Sequence, residues 1–421
     1  MTLSKADILL PKNADMKKWS VVACDQYTSE PDYWTEVENI VGDSPSTYNL
    51  VLPEIYLEND DVEERIKTVN NNMNNYISEG VFSCYNSSYI YVERTQRNGL
   101  IRKGIIAAVD LEDYDYNKGS KSAIRATEGT VAERIPPRLK VRLNAKLELP
   151  HVMLLIDDDK KRIIEHIGEN KSSMKKVYDF DVMMNSGHLC GWLLTDELAK
   201  YLEMEIAKLS DLSAFNSKYG VSEEHPLVFA VGDGNHSLAT AKEYYNITKE
   251  KIGDKALSSP ARYALAEIVN LHDDSLVFEA IHRVVFDIDA SDFENKIQGA
   301  CELVDDAAAD GQVFYLVTDS NIKKYRIKNP TANLTVGTIQ NFIDNYISQN
   351  GGRVDYIHGD DVVKELCEKH KACGIILDAM DKGDLFKTVI IDGALPRKTF
   401  SMGDACDKRF YNEARIINND I

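Results

Sequence analysis

Short apolar, β-branched runs alternate along this chain with longer stretches of helical periodicity. That alternation restricts the fold to an α/β or mixed α+β class. The spacing predicts strands over Val21–Ala23, Tyr89–Glu93, Ile105–Val109, Val152–Ile156, Leu227–Val231, Val313–Thr318, Gly374–Leu377 and Thr388–Ile391. Between many of them it predicts helices over Val62–Ser78, Thr195–Leu209, Leu238–Tyr245, Val336–Ser348 and Asp361–His370. A chain of 421 residues exceeds one simple core, so two or three sub-domains are expected. No repeat or low-complexity linker marks them. Polar breaks near Asp157–Lys161 and Ser291–Asn295 suggest regions 1–85, 86–290 and 291–421.

The net charge of −19 argues against a general nucleic-acid or anionic-membrane binder, because both need a positive field. The opening Met-Thr-Leu-Ser-Lys-Ala-Asp7 has no signal-peptide apolar run, and no stretch approaches the roughly 20 apolar residues of a membrane span. Seven scattered cysteines read as reduced thiols, so a cytoplasmic location is expected.

Chemistry concentrates in two places. The first is Gly232-Asp-Gly-Asn-His236, between the apolar run Leu227–Val231 and a helical pattern carrying Leu238, Ala241 and Tyr245. A strand-to-helix turn aims free N–H groups and the positive helix end at one point, which suits a phosphate. Gly232 and Gly234 permit positive φ and close ligand approach. Asp233 beside a phosphate calls for a bridging cation, and Mg²⁺ binds through one or two carboxylates plus substrate phosphates. His236 in the first helical turn is expected to be neutral. The plainer alternative is a glycine turn with Asp233 or Asn235 as helix N-cap. A dinucleotide fingerprint fails because its third glycine is Ser237, and the chain has no P-loop.

The second place is Ile124–Arg142. Thr130-x-x-Glu133 has the capping-box pattern, and Pro136-Pro137 can open a helix on which Arg138, Arg142 and Lys146 share a face. Arg125 and Arg134 lie nearby, making this the strongest basic cluster. Glu128, between Thr127 and Gly129, is suited to accept a substrate hydroxyl proton. The alternative is a solvated, salt-bridged helix face.

Other signals are weaker. Cys367-x-x-His370-x-x-Cys373 lacks the second pair a structural zinc site needs. Gly187-His-Leu-Cys-Gly-Trp192 reads as a turn seating Trp192, with His188 a satisfied polar group. His282-Arg283 can close a phosphate pocket or end a strand, and Asp25-Gln26-Tyr27 can line a pocket or form a turn.

The order of these segments resembles the bacterial and archaeal family catalogued as domain of unknown function 1015. That family carries a His-Glu-x-Thr segment, an Ala-Asp-Gly-His-His-Arg turn, a His-Arg pair and a late Pro-Arg-Lys. The matching residues here are Thr127-Glu128-Gly129-Thr130, Gly232-Asp233-Gly234-Asn235-His236-Ser237, His282-Arg283 and Pro396-Arg397-Lys398. The Asp-Gly-x-His turn is similar to the phosphate-binding turn of the ParB/sulfiredoxin-like superfamily, some members of which are free L-serine kinases.

The resemblance implies a ParB/sulfiredoxin-like catalytic core at 86–290 with additional α/β sub-domains. It implies a phosphotransferase making O-phosphoserine with Mg²⁺ from ADP, ATP or pyrophosphate. Glu128 would be the base, with Asp233 holding the metal and acting with His236 in catalysis. Gly232, Gly234, Asn235, Ser237, Arg125, Thr130, Arg134 and Arg138 would surround the phosphate, and Asp25, Gln26, Tyr27, His282 and Arg283 the substrate. The partners expected are therefore small molecules, with no nucleic acid and no membrane. The chain departs from the family at Thr127, Asn235 and Ser237, losing histidines and an arginine. The alternative from another class is a nucleotide-binding switch without small-molecule turnover.

Overall fold

The computed structural model describes residues 2–130, 132–304, 311–319, 321–370 and 372–418. The chain forms two compact units, Met1–Leu276 with Asp404–Ile421, and Val277–Gly403. The structure is of the mixed α/β class expected from the alternation.

The first unit is built on a ten-stranded mixed sheet. Its order runs Lys175–Asp181, His188–Leu193, Ile90–Thr95, Ile101–Asp110, Tyr263–Asn270, Val152–Ile156, Phe229–Asp233, Ile124–Ala126 and Tyr114–Asp115, with Leu3–Ser4 beside Ile101–Asp110. Val152–Ile156 lies parallel to Tyr263–Asn270 and antiparallel to Phe229–Asp233. Every residue of Val152–Ile156 is buried, which is why it reads as an unbroken apolar run rather than an alternating one. The helix expected over Val62–Ser78 forms over those residues. Thr195 caps Asp196–Leu209 by accepting from Leu198 N–H at 3.3 Å.

A buried ion cluster holds the end of the chain against this sheet. Glu267, on Tyr263–Asn270, is fully buried and accepts from Arg102 Nε at 3.1 Å and from Arg409 Nη1. Arg409 also donates to Glu413 at 2.6 Å and to the Pro150 carbonyl at 2.7 Å. Arg102 reaches the Asp407 carbonyl at 2.9 Å. Across the ladder, a Cβ on Gly104 would meet the Glu267 side chain at 2.8 Å, so glycine makes room for the carboxylate. From this anchor the chain runs on to pair Phe410–Tyr411 with Val21–Val22 and Arg415–Ile416 with Leu147–Glu148.

The second unit carries a six-stranded antiparallel sheet in the order Cys301–Leu303, Asn321–Ile327, Val313–Thr318, Cys373–Ile376, His282–Phe286, Arg353–Ile357. Val284, Phe286, Val317, Val363 and Cys367 form part of its core. One strand expectation fails here: Thr388–Ile391 lies within the helix Asp384–Asp392. Four β-branched residues are too short a window to display helical period. Leu385, Phe386, Val389 and Ile390, all buried, recur at that period once the flanks are included.

Replacing Glu267 with leucine leaves two buried guanidinium groups without their shared carboxylate. The expected loss for this unit is about 3–5 kcal/mol, read as a lower urea midpoint. An unchanged midpoint would show that the cluster does not hold the terminal segment in place.

Candidate active site

The strand Phe229–Asp233 carries the chain directly into the glycine turn. Gly234 adopts a left-handed conformation at φ 81° and starts the helix Asn235–Ile252, with no side-chain cap. Asp233 Oδ1 instead accepts from the Gly234 N–H at 2.9 Å. Neither Asp233 nor Asn235 caps the helix, so no side-chain cap hydrogen bond closes its amino end. The buried Oδ1 of Asn235 has no hydrogen-bond partner among the described residues. Gly232 does not have positive φ. Glycine is needed there because a Cβ would meet Leu155 Cγ at 2.8 Å.

The strand Ile124–Ala126 lies parallel to this one, with Ala126 opposite Val231. Thr127 continues the alignment by donating its hydroxyl to the Val231 carbonyl at 2.6 Å. Glu128 follows at once and is half-buried. The two motifs therefore meet at the carboxyl ends of adjacent parallel strands, where open α/β sheets form ligand crevices.

Around the turn the fold assembles groups with no motif in common. A Cβ on Gly234 would lie 3.1 Å from His151 Cδ2 and 3.1 Å from Val152 Cα, so the turn rests on the start of the neighbouring strand. His151 Nε2 stands 3.1 Å from Asp25 Oδ2, and its Nδ1 stands 2.6 Å from the Tyr411 hydroxyl. That hydroxyl donates to Cys24 Sγ at 3.2 Å. Burial opposes charge on both Asp25 and His151, but their attraction outweighs it. Asp25 is held well below the carboxylate range and His151 is raised well above the ordinary imidazole value. Lys408 Nζ lies 3.4 Å from Asp233 Oδ2, and its charge also lowers Asp25.

The helix Ile135–Leu143, opened by prolines, packs against Asn235–Ile252. Arg138 donates to the Arg134 carbonyl at 2.6 Å and pairs with Glu54. Arg142 pairs with Glu148 at 2.5 Å. The helix ends at Leu143, so Lys146 does not share its face. The capping box is not formed, since the buried Thr130 hydroxyl has no partner among the described residues. Arg138, Glu54, His151, Ser237, Thr240 and Tyr411 line a cavity of about 150 Å³ together with the Arg142–Glu148 pair and a mainly apolar remainder.

Arg125 is not brought to the turn. It is buried and donates to the Ser122 and His225 carbonyls, at the amino ends of the two strands. Gln26 steadies Asp25 at 2.8 Å, while Tyr27 stacks on Tyr33 with ring centroids 3.7 Å apart. His282 and Arg283 belong to the second unit. There His282 pairs with Asp360 at 2.9 Å, and buried Arg283 bonds to the Arg397 and Lys398 carbonyls.

A family model described as a protein of unknown function, DUF1015, matches residues 7–346. The chain belongs to that family. No curated protein matches it. Among solved structures, it is similar to a free serine kinase in complex with AMP, at 11% identity and a TM-score of 0.37, over 73% of this chain and 90% of that one. A conserved hypothetical protein from Pyrococcus furiosus matches at 11% identity and a TM-score of 0.33, over 73% and 90% of the two chains. SbnI from Staphylococcus aureus matches at 8% identity and a TM-score of 0.35, over 70% and 82%. Likenesses this remote carry no argument about function. In the described residues no helix is long and apolar enough to cross a membrane.

His236 gives a direct check on this geometry. Burial first, then the charges of Arg138 and Arg134, push its pKa from 6.5 down to about 4. The folded protein therefore holds it neutral, and acidification from about 6.5 towards 4 favours the unfolded chain, which takes the proton first. Nitrogen-resolved histidine NMR should show no His236 titration between pH 5 and 8. A midpoint near 6.5 would mean that the imidazole is solvated.

Proposed function

We propose that this protein transfers a phosphoryl group to the hydroxyl of a small amino acid, serine being the first candidate, with Mg²⁺ and with ADP, ATP or pyrophosphate as donor. The observation that carries this reading is the junction of the Glu128 segment with an uncapped helix-opening turn at adjacent parallel strand ends. Phosphoryl transfer requires a base, positive charge around the moving group and correct positioning, with little covalent chemistry from the protein.

In this reading Glu128 accepts the acceptor hydroxyl proton as its oxygen forms the new bond to phosphorus. The bond from phosphorus to the donor's bridging oxygen breaks, and the remainder of the donor leaves with its electron pair. The first-turn N–H groups of Asn235–Ile252 hold the phosphoryl oxygens. Neutral His236 donates to one of them. Asp233 is suited to hold Mg²⁺, since Oδ1 accepts one backbone N–H and Oδ2 has a loose 3.4 Å contact with Lys408. Bound there, the ion would neutralise charge on the donor phosphates. Lys408 and Arg138 supply the charge that Asn235 and Ser237, standing where the family pattern has histidine and arginine, do not. The cavity beside Ser237 is sized for a small acceptor, with Glu54 on its wall for the ammonium group.

Phosphorus NMR of the pure protein with Mg²⁺, L-serine and each donor in turn should show phosphoserine. Glu128→Gln should abolish it in a folded protein, and Lys408→Met should lower kcat/KM roughly 10²–10³-fold. An active Glu128→Gln enzyme would remove Glu128 from its role. Absence of product with all three donors would reject serine as the acceptor.

A further inference from the structure

Far along the sheet from the glycine turn, its edge carries a group of side chains that the phosphoryl chemistry does not use. The outermost strand, Lys175–Asp181, pairs antiparallel with His188–Leu193. Asp179 lies opposite Cys190 and Asp181 opposite His188. Residues opposite one another, and residues two apart, share a face, so all four side chains project from one side of the hairpin. One ligand atom each from Asp179, His188 and Cys190 falls within a span of 4.8 Å.

The contacts of His188 make this arrangement unusual. Its Nδ1 lies 2.8 Å from Asp181 Oδ1, and its Nε2 lies 2.8 Å from Asp179 Oδ1. If Nδ1–H donates to Asp181, the Nε2 lone pair faces a carboxylate, and two acceptors in contact need a proton or a cation between them. The Cys190 thiol also turns to Asp179. Imidazole, thiol and carboxylate thus converge on one point at Asp179. The remaining Asp179 oxygen pairs with Lys176, and Lys17 lies 3.5 Å from Asp181 Oδ2. Each lysine contacts the Oδ2 of its carboxylate, while both Oδ1 atoms contact the histidine.

We propose that Asp179, His188 and Cys190 bind a divalent transition-metal ion of the zinc class, with Asp181 orienting the imidazole. A thiolate, an imidazole and a carboxylate suit Zn²⁺ rather than Mg²⁺ or Ca²⁺, which take oxygen ligands. Zinc holds such atoms at about 2.0–2.3 Å, and three protein ligands leave a fourth position for water or another ligand. A carboxylate behind the ligating histidine is the usual device for fixing its tautomer. The half-exposed hairpin leaves the open position accessible.

The test uses chelator-stripped full-length protein titrated with Zn²⁺ against a chromophoric chelator, and in parallel with Co²⁺. One equivalent of Zn²⁺ should bind, and the Co²⁺ form should show a thiolate charge-transfer band. Cys190→Ser should abolish that band, and Asp181→Asn should weaken Zn²⁺ binding roughly 10–100-fold with the fold intact by circular dichroism. No stoichiometric binding, or Zn²⁺ binding unchanged in both variants, would overturn the proposal and leave His188 as a hydrogen-bonded bridge between two strand residues. The readout is independent of phosphoryl transfer.

Discussion

The buried carboxylate of Glu267, held between Arg102 and Arg409, is the contact on which the arrangement of the site depends. A charge at the middle of a sheet is tolerated only when paired, and here two guanidinium groups converge on it. Arg409 comes from the far end of the chain, and it anchors that end beside Pro150. Its immediate neighbour Lys408 then reaches Asp233, and Tyr411, two residues further on, reaches His151. Arg94 adds to the same anchor by bonding to the Cys406 carbonyl at 2.9 Å. An ion cluster of this kind adds little net stability, but it fixes which segment lies where.

What is fixed this way is an environment of graded charge. The Asp25–His151 pair is a closed ion pair in contact with Tyr411 and Cys24, and it sits directly against the backbone of Gly234. Asp233 is left less completely neutralised, with one backbone N–H and one distant ammonium. His236 is kept uncharged by burial and by Arg138 and Arg134. A negative ligand arriving at the helix start therefore meets a positive helix end, neutral imidazole and a lysine, with one carboxylate available to a cation. The same groups would suit a weaker phosphate binder. In the proposed reading the base that distinguishes a transferase is Glu128, which follows a strand whose register is set by pairing with the motif strand itself.

The sequence made the local parts of this account legible. A buried strand followed by glycines, an acid and a helical pattern specifies a strand–turn–helix, and the structure has it at Phe229–Asp233 and Asn235–Ile252. The parts that depend on distant pairing were not legible. Nothing near Lys408 or Tyr411 in the sequence indicates Asp233 or His151, because the link is the ion cluster and two short strand pairings. Arginine content was a poor guide to position: Arg125 lies in the right strand but its guanidinium is fixed at the wrong end. Lys146 fell outside its helix because the chain turns at Asn144 into the short strand Leu147–Glu148. The sequence suggests a ligand-approach role for Gly232, whereas in the fold the packing of Leu155 accounts for the glycine.

In the proposed function the glycine turn, Asp233 and Lys408 form one phosphate site. The most direct measurement is a crystal structure of the protein with Mg²⁺ and ADP. The expected result is the terminal phosphate on the first-turn N–H groups of Asn235–Ile252, with Mg²⁺ on Asp233 and the Lys408 ammonium within hydrogen-bond distance of a phosphate oxygen. Nucleotide bound elsewhere, with the turn empty and the Lys408–Asp233 contact unchanged, would contradict it.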